Sequence, residues 1–293
     1  MKQDIPVYDL CSLKNIHHED LLISRFASYL ENHSKLILPH RHSFFHVVYF
    51  TSGKGNHTID FKQFPVKPFQ IYFMIPGQVH SWNFEGQVDG YIINFSATFF
   101  QSFLLKPGYL QKFPFFSGIA DECVLDVQPF LQERTRQLFE DLIVETSVSK
   151  KTDLDKLRIL ILHIFILVDE IASKPKQSPA ASYNYTILKN FQKLIDLNFN
   201  NLRLPKNYAE LLFITPNHLN GLCNEILGVS AGELIRNRIA LEAKRLLINA
   251  DLSISQIAFK LNFKDNSYFT KFFRKQTGIT PEEFRKKELN IKN

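Results

Sequence analysis

Two stretches near the C-terminal end of the chain repeat one pattern of helix, tight turn and helix. The first reads "LPKNYAELLFITPNHLNGLCNEILGVS" and the second reads "LSISQIAFKLNFKDNSYFTKFFRKQTGIT". Ser230 with Glu233, Ser253 with Gln256, and Thr280 with Glu283 fit the capping box, in which two side chains three residues apart satisfy backbone N–H groups at a helix start. Each stretch ends on a glycine, which suits the left-handed conformation that closes a helix. The repeat therefore predicts two helix-turn-helix units.

The second helix of the second unit, from about Asn266, has two faces of opposite character. Phe269, Phe272 and Phe273 share one face, which predicts burial against the preceding short helix. Polar side chains on the opposite stripe can reach base edges, and basic ones suit phosphates. A merely solvated face is the alternative for a single helix. The residues of this stripe that we predict to contact DNA are Asn266, Ser267, Thr270, Lys271, Arg274 and Lys275.

The excess of positive over negative charge lies entirely in the last part of the chain. The net charge is +6, and the residues from Tyr183 onward hold 17 Lys and Arg against 10 Asp and Glu. The remainder holds 18 against 19 and is almost neutral. This distribution predicts a polyanionic partner for the C-terminal part only.

The helix between the two units, about Ala231 to Asn249, would be about 28 Å long, close to the roughly 34 Å between successive major-groove segments.

Residues 183–288 resemble the AraC/XylS family of bacterial transcriptional regulators. The resemblance is carried by "IRNRIALEAKRLLINADLSISQIAFKLNFKDNSYFTKFFRKQTGITPEEFR". It implies a cytoplasmic, sequence-specific regulator of double-stranded DNA that responds to a small-molecule effector, with activation favoured over repression and RNA polymerase contact left open. It also implies that the second helix of each unit reads DNA. Matched by position, these family residues are Asn217 and Asn220 in the first unit, and Asn266, Ser267 and Lys271 in the second.

Two positions depart from the family pattern. Asn262 stands where the family usually has a glycine after the short helix, and asparagine tolerates the left-handed conformation. Gly221 stands where many members carry a longer polar or basic residue, so it offers no side chain to a base.

The N-terminal part has the pattern of short β-strands. "FFHVVYFTSGKGNHTIDF" contains two β-rich runs around "SGKG", which predicts a hairpin. "QIYFMIP", "GQVHSWNF" and "GYIINFS" continue the series between turn residues. Short strands at regular spacing predict a sandwich or barrel.

Two of these strand segments, "LPHRHSFFHVVYFTSG" and "IPGQVHSW", contain histidines. Both segments look like the motifs of a cupin barrel, whose metal-binding members use three histidines and a glutamate. His46 stands where that pattern has the glutamate. We therefore predict a pocket without metal or other cofactor, in which His40, His42, His46 and His80 bind the effector. A metal-dependent cupin enzyme fused to a DNA-binding domain is the alternative, since four imidazoles suit a transition metal.

The expected architecture is multidomain α+β, with a cupin-like β-barrel and helices followed by an all-α double helix-turn-helix domain. The boundaries are 1–125 for the effector domain, 126–173 for a helical segment, 174–182 for a linker and 183–293 for the DNA-binding domain. The helical segment contains two predicted helices, Pro129–Ser147 and Asp153–Ala172, the latter with Asp153 as N-cap. The apolar stripe of the helix Asp153–Ala172 is wider than one helix face. This width fits two alternatives, a homodimer contact or deep burial within its own domain.

The apolar run "LRILILHIFILV" is too short to span a bilayer, and three dispersed cysteines favour a reducing compartment.

Overall fold

The computed structural model describes residues 5–13, 19–101, 103–104, 109–148, 153–172, 179–248 and 251–290. The chain divides into two compact units, Ile5–Lys174 and the C-terminal Pro175–Asn293. Residues 174–178 of the predicted linker, and Asn249 of the predicted helix between the helix-turn-helix units, lie outside the described residues. No helix among the described residues combines the length and apolar character needed to cross a membrane.

The described part of the N-terminal unit forms two five-stranded sheets. Their strands are β1 Val7–Tyr8, β2 Leu21–Arg25, β3 His40–His42, β4 Phe45–Ser52, β5 Gly55–Ile59, β6 Lys62–Val66, β7 Gln70–Met74, β8 Val79–Phe84, β9 Asp89–Phe95 and β10 Val124–Asp126. One sheet has the order β1-β3-β8-β5-β6 and the other β10-β7-β4-β9-β2. Neighbouring strands are antiparallel except for the β1–β3 pair.

The hairpin predicted around "SGKG" is wrong, because β4 and β5 lie in different sheets. The chain crosses between the sheets at Gly53 and Gly55, whose φ angles are 126° and 133°. A Cβ atom on Gly53 would lie 2.5 Å from Cγ1 of Val88. These glycines therefore serve a close crossing of backbone, whereas the tight turn lies at Asp60 and Phe61, between β5 and β6.

The core of the unit lies between the two sheets. The rings of Trp82 on β8 and Phe50 on β4 meet edge to face, with centroids 5.6 Å apart. Phe26, at the start of α1 (Phe26–Asn32), contacts both rings at 5.5 and 5.1 Å. Aromatic side chains of this size dominate the apolar area that a small sandwich buries.

Two helices cover the outer face of the second sheet. They are α2 Pro129–Val148 and α3 Leu154–Ala172. Phe139 of α2 stacks on Tyr49 of β4 with centroids 5.3 Å apart, and Phe165 of α3 lies 5.9 Å from Phe73 of β7. Asp153 accepts the backbone N–H of Asp155 at 3.0 Å, so it caps α3 as predicted.

All secondary-structure elements in the described residues of the C-terminal unit are helices. Its helices are α4 Pro179–Asn198, α5 Pro205–Leu211, α6 Pro216–Leu227, α7 Ala231–Leu247, α8 Ile254–Lys260, α9 Asn266–Thr277 and α10 Pro281–Asn290. α5 with α6, and α8 with α9, are the two predicted helix-turn-helix units. Ala209 and Ala258, the small residues of the two short helices, are buried, and so are Leu219 and Phe269 above them. The predicted fold class is confirmed.

Two of the three predicted capping boxes form. At the start of α7 the Ser230 hydroxyl accepts the N–H of Glu233 at 3.2 Å, but the Glu233 carboxylate lies 3.6 Å from the Arg236 guanidinium, so this helix has a single cap bond and not a box. The Ser253 hydroxyl accepts the N–H of Gln256 at 3.1 Å, and the Gln256 side chain accepts the N–H of Ser253 at 2.7 Å. Thr280 and Glu283 exchange the same two bonds at 3.2 and 2.8 Å. Arg285 of α10 donates to the carbonyl of Leu247 at 2.9 Å, which ties α10 to the end of α7.

Candidate functional site

α9 carries the predicted DNA-contacting stripe on one side, and buried phenylalanines hold its opposite side. Its N-cap, Asp265, accepts the backbone N–H of Tyr268 at 2.7 Å. Phe269 and Phe273 are fully buried beneath the helix, and Phe272 is half-buried. The rigid apolar side thereby fixes which way the polar side faces.

The outward side of α9 is polar and basic. Asn266 and Ser267 are exposed, and Thr270 is half-buried. The three cations of the helix are also exposed, and none forms a salt bridge in the described part of the chain, although the charge of Arg274 reaches the Glu283 carboxylate. They are Lys271, Arg274 and Lys275. Unpaired cations on one helix face form a local positive field suited to phosphates.

α6 occupies the corresponding place in the first unit but carries different chemistry. Thr215 caps it by accepting the N–H of His218 at 3.1 Å. Asn217 is exposed, whereas Asn220 is half-buried and its Oδ1 accepts the backbone N–H of Ala231 at 3.1 Å. Asn220 is therefore engaged in joining α6 to the start of α7.

The two helices differ at every basic position of the stripe. Gly221 corresponds to Lys271, and a Cβ atom there would meet nothing within 4 Å, so the position faces open space. Asn224 corresponds to Arg274, and the acidic Glu225 corresponds to Lys275. Positive charge is therefore concentrated on α9.

The turn between the helices of each unit uses the left-handed conformation. Phe213 in the first unit and Asn262 in the second both have φ of 56°. The expectation that Asn262 accommodates this conformation is confirmed. Phe213 is a less suitable residue there, because a bulky side chain at positive φ is strained, and its side chain is 96% exposed.

The four histidines predicted to bind the effector lie together in the N-terminal unit. They are buried rather than placed at an open mouth: His40, His42, His46 and His80 are each between 1% and 3% exposed. The Nε2 atom of His42 lies 3.1 Å from that of His40 and 2.8 Å from that of His80. Ligand atoms of these three residues lie within 4.8 Å of one another.

Backbone and side-chain acceptors orient the outer rings of this cluster. Nδ1 of His40 donates to the carbonyl of Leu38 at 2.7 Å, and Nδ1 of His46 lies 2.7 Å from Oδ1 of Asn94. Burial lowers the pKa of His40 to about 4 and that of His46 to about 3. Burial also places the pKa values of His42 and His80 well below the usual range. The cluster is thus neutral at ordinary pH.

Sequence reasoning missed two members of this cluster. His57 on β5 is fully buried, its Nε2 lies 3.0 Å from Nδ1 of His80, and its ring stacks on Trp82 at 3.4 Å. Asn94 on β9 orients His46. The only signal for His57 in the sequence is its place in a β-rich run, and its partner lies 23 residues away.

A cleft of about 210 Å³ opens elsewhere in the N-terminal unit, between β2, α1 and α2. Arg25 at its edge is neutralised by both carboxylate oxygens of Glu140, at 2.7 and 2.8 Å. The remaining polar lining consists of Ser24, Ser28, Asn32, His33, Thr146 and Ser147. Hydroxyl and amide groups of this kind suit a small neutral polar molecule.

Comparison with known proteins identifies both units. Residues 24–161 match the family described as AraC-like ligand binding domain, and residues 208–287 match the one described as Helix-turn-helix domain. The chain has the two-domain architecture of AraC-type regulators. The AraC/XylS resemblance seen in the sequence is thereby confirmed.

The relatives of this chain are named as regulatory proteins. It is 25% identical over 260 residues to the uncharacterized HTH-type transcriptional regulator YfiF of Bacillus subtilis, covering 87% of this chain and 81% of that protein. It is 24% identical over 237 residues to the arabinose operon regulatory protein of Salmonella typhimurium, covering 80% of each. It is 37% identical over 90 residues to the uncharacterized transcriptional regulatory protein YesN of Bacillus subtilis, covering 30% of this chain but only 24% of that protein. These matches give the enzyme alternative no support.

Proposed function

We propose that this protein is a sequence-specific DNA-binding transcriptional regulator that acts in the cytoplasm. The observation that carries the proposal is the outward side of α9, where three exposed cations that form no salt bridge with the described residues lie beside exposed polar groups. In this proposal Lys271 donates to guanine in the major groove, and Arg274 and Lys275 hold phosphates. α7, which has 17 residues and is about 25 Å long, follows α6 in the chain and leads to the second helix-turn-helix unit, so one chain offers two helices that could enter DNA.

The test is binding of the full-length chain to DNA. Sites selected from a random duplex library would give the preferred sequence, and fluorescence anisotropy would give affinities for it and for a scrambled duplex. We expect specific binding that weakens steeply with salt. The triple variant Lys271→Ala, Arg274→Ala, Lys275→Ala should lose it, whereas the matched variant Lys62→Ala in the N-terminal unit should not. Equal affinity of the wild-type chain for cognate and scrambled duplexes would contradict the proposal.

We further propose that the N-terminal unit carries a response to a small molecule. The four histidines remain one candidate for the contact, and the cleft lined by Ser28 is a second, favoured by its opening to solvent. A Ser28→Trp variant would fill the cleft, and a His42→Ala, His80→Ala variant would alter the cluster. Promoter reporters exposed to a metabolite library would show which variant loses induction. Induction that survives both changes would exclude both sites.

A homodimer contact through α3 is the third part of the proposal. Ile159 and Ile166 lie seven residues apart on α3 and are 57% and 44% exposed, whereas the other described apolar side chains of this helix are buried or half-buried. Exposed isoleucines at this spacing form a stripe that a second copy could cover. Sedimentation of the full-length chain should give a dimer, and Ile159→Glu with Ile166→Glu should give a monomer. A wild-type monomer at micromolar concentration would refute the dimer. Activation through RNA polymerase contact stays a prediction from the family.

A further inference from the structure

The connector between α4 and α5, residues 199–204, touches both helix-turn-helix units. Its contact with the first unit is made by α5, where the Tyr208 hydroxyl donates to the carbonyl of Leu202 at 2.8 Å. Tyr208 is fully buried, and its ring meets that of Phe191 of α4 edge to face, with centroids 5.4 Å apart. The connector is therefore held firmly against the first unit.

The same connector binds the turn of the second unit. The Arg203 guanidinium donates to the carbonyl of Leu261 at the end of α8, and its Cζ lies 4.3 Å from the centroid of the Phe263 ring. Carbonyls at a helix end have no partner within the helix, so this one can accept from another segment. The Asn262 side chain adds a bond, because its Nδ2 donates to the backbone carbonyl of Asn200 at 3.2 Å. Two hydrogen bonds and a cation–π contact thus join the second turn to the first unit.

The ring that Arg203 covers belongs to the packing beneath α9. Phe263 is buried, and its centroid lies 5.2 Å from that of Phe269 and 5.1 Å from that of Phe272. Both of these rings are on the apolar face of α9. Because closely packed side chains transmit displacements, the contact of Arg203 with Phe263 restrains where α9 lies relative to the first unit.

The asparagine that departs from the family pattern has a second use in this contact. A glycine in place of Asn262 would adopt the φ of 56° at no steric cost, but it has no side chain to donate to Asn200. The equivalent residue of the first unit, Phe213, has the same φ and no donor in its side chain. The choice of asparagine therefore fits a bond that only the second turn makes of the two.

We propose that Arg203 and Asn262 are positioning residues that fix the distance and the angle between α6 and α9. Neither residue has to touch a base. Through the connector they set how many base pairs separate the bases that α6 and α9 contact at the same time. This consequence rests on the proposed DNA binding, whereas the fixed geometry of the two helices does not.

The distance between α6 and α9 in the free full-length chain tests the fixed geometry. Spin labels would be attached at Glu225→Cys and Lys275→Cys, two exposed and equivalent positions, after the exposed Cys11 is changed to serine; the other two cysteines are buried. Pulsed electron–electron double resonance should give one narrow distance distribution. Arg203→Ala should broaden it, and so should Asn262→Gly, which keeps the turn and covers the case in which Arg203→Ala fails to fold.

The matched control for the distance measurement is Arg236→Ala. It removes an arginine that lies 3.6 Å from the Glu233 carboxylate on α7, and it should leave the distribution narrow. A distribution that is already broad in the wild-type background, or one that stays narrow in Arg203→Ala and Asn262→Gly, would overturn the proposal.

Binding to operators of altered spacing tests the consequence for DNA. One base pair would be inserted between the two segments that hydroxyl-radical footprinting of the wild-type complex shows to be protected. The insertion should weaken wild-type binding about tenfold or more, because α6 and α9 can then no longer both be engaged. In Arg203→Ala this factor should fall below about threefold, whereas Lys275→Ala should weaken binding to both duplexes and keep the factor. An unchanged factor in Arg203→Ala would refute the spacing role. A wild-type chain that binds no specific site would contradict the DNA function instead, and the distance measurement would still decide the geometry.

Discussion

Oδ1 of Asn220 lies 3.1 Å from the backbone nitrogen of Ala231 and accepts its N–H. The bond joins α6 to the first turn of α7, where backbone donors have no partner within the helix. Asn220→Ala should therefore lower the free energy of unfolding by about 1 kcal/mol. Thermal denaturation of the full-length chain measures this. Asn217→Ala, an exposed change on the same helix, is the control and should leave the melting temperature unchanged; equal melting temperatures for both variants would refute the structural role of Asn220.

Lys271 and Lys275 lie on one helix, but replacing each by alanine should change DNA binding in a different way. Lys271→Ala should cost about 1–3 kcal/mol on the cognate site and relax preference at one base position, because a base contact carries sequence information. Lys275→Ala should weaken binding to all sequences alike and lower the salt slope by roughly one unit, because a phosphate contact carries none. Binding to single-base operator variants at two salt concentrations separates the two. Uniform weakening by Lys271→Ala would show that this lysine does not read a base.

Gly221 is the open position on α6. Gly221→Ala should stabilise the chain by about 1 kcal/mol, because alanine is the better helix former and its Cβ meets nothing within 4 Å. Gly228→Ala is a matched control with equal space but a φ of 70°, and it should destabilise. Gly221→Lys should also strengthen DNA binding and steepen its salt dependence. Destabilisation by Gly221→Ala would show that the helix is not regular there.

Phe213 carries backbone strain that its side chain does not offset. Its φ is 56° and it is 96% exposed, so Phe213→Gly should relieve strain while losing little packing. We expect a gain of up to about 1 kcal/mol in the free energy of unfolding, read from urea denaturation. Asn262→Gly, at the equivalent turn, should gain less because asparagine already tolerates this conformation. A loss of stability in Phe213→Gly would mean that the ring is packed.

Local signals in the sequence determined most of the C-terminal unit. Caps such as Ser253 with Gln256 and the closing glycines act within a few residues, so helix starts and ends could be predicted from the chain alone. The role of Asn220 could not, because it depends on where α7 begins, 11 residues away.

The N-terminal unit was predictable in composition but not in pairing. The runs on either side of "SGKG" are strands, yet they do not pair with each other: β4 pairs with β7 and β9, and β5 pairs with β6 and β8. No local feature distinguishes a crossing between sheets from a hairpin turn. The histidine cluster shows the same limit. His40 and His42 alternate along one strand, but His57 joins them only because β5 pairs with β8.

The stripe of α6 offers amide side chains but no Lys or Arg, so we expect α6 to add less than α9 to the sequence that one chain can specify. A recognition helix brings about three or four side chains to base edges, and a word of about four base pairs recurs by chance about once in 250 base pairs. A genome offers on the order of 10⁶ or more competing sites. A chain that reads bases mainly through α9 therefore recognises a sequence that is too short to be unique in a genome. Selectivity for one promoter would have to come from several copies bound to repeated words at fixed spacing, and the operator should be sought as a repeat.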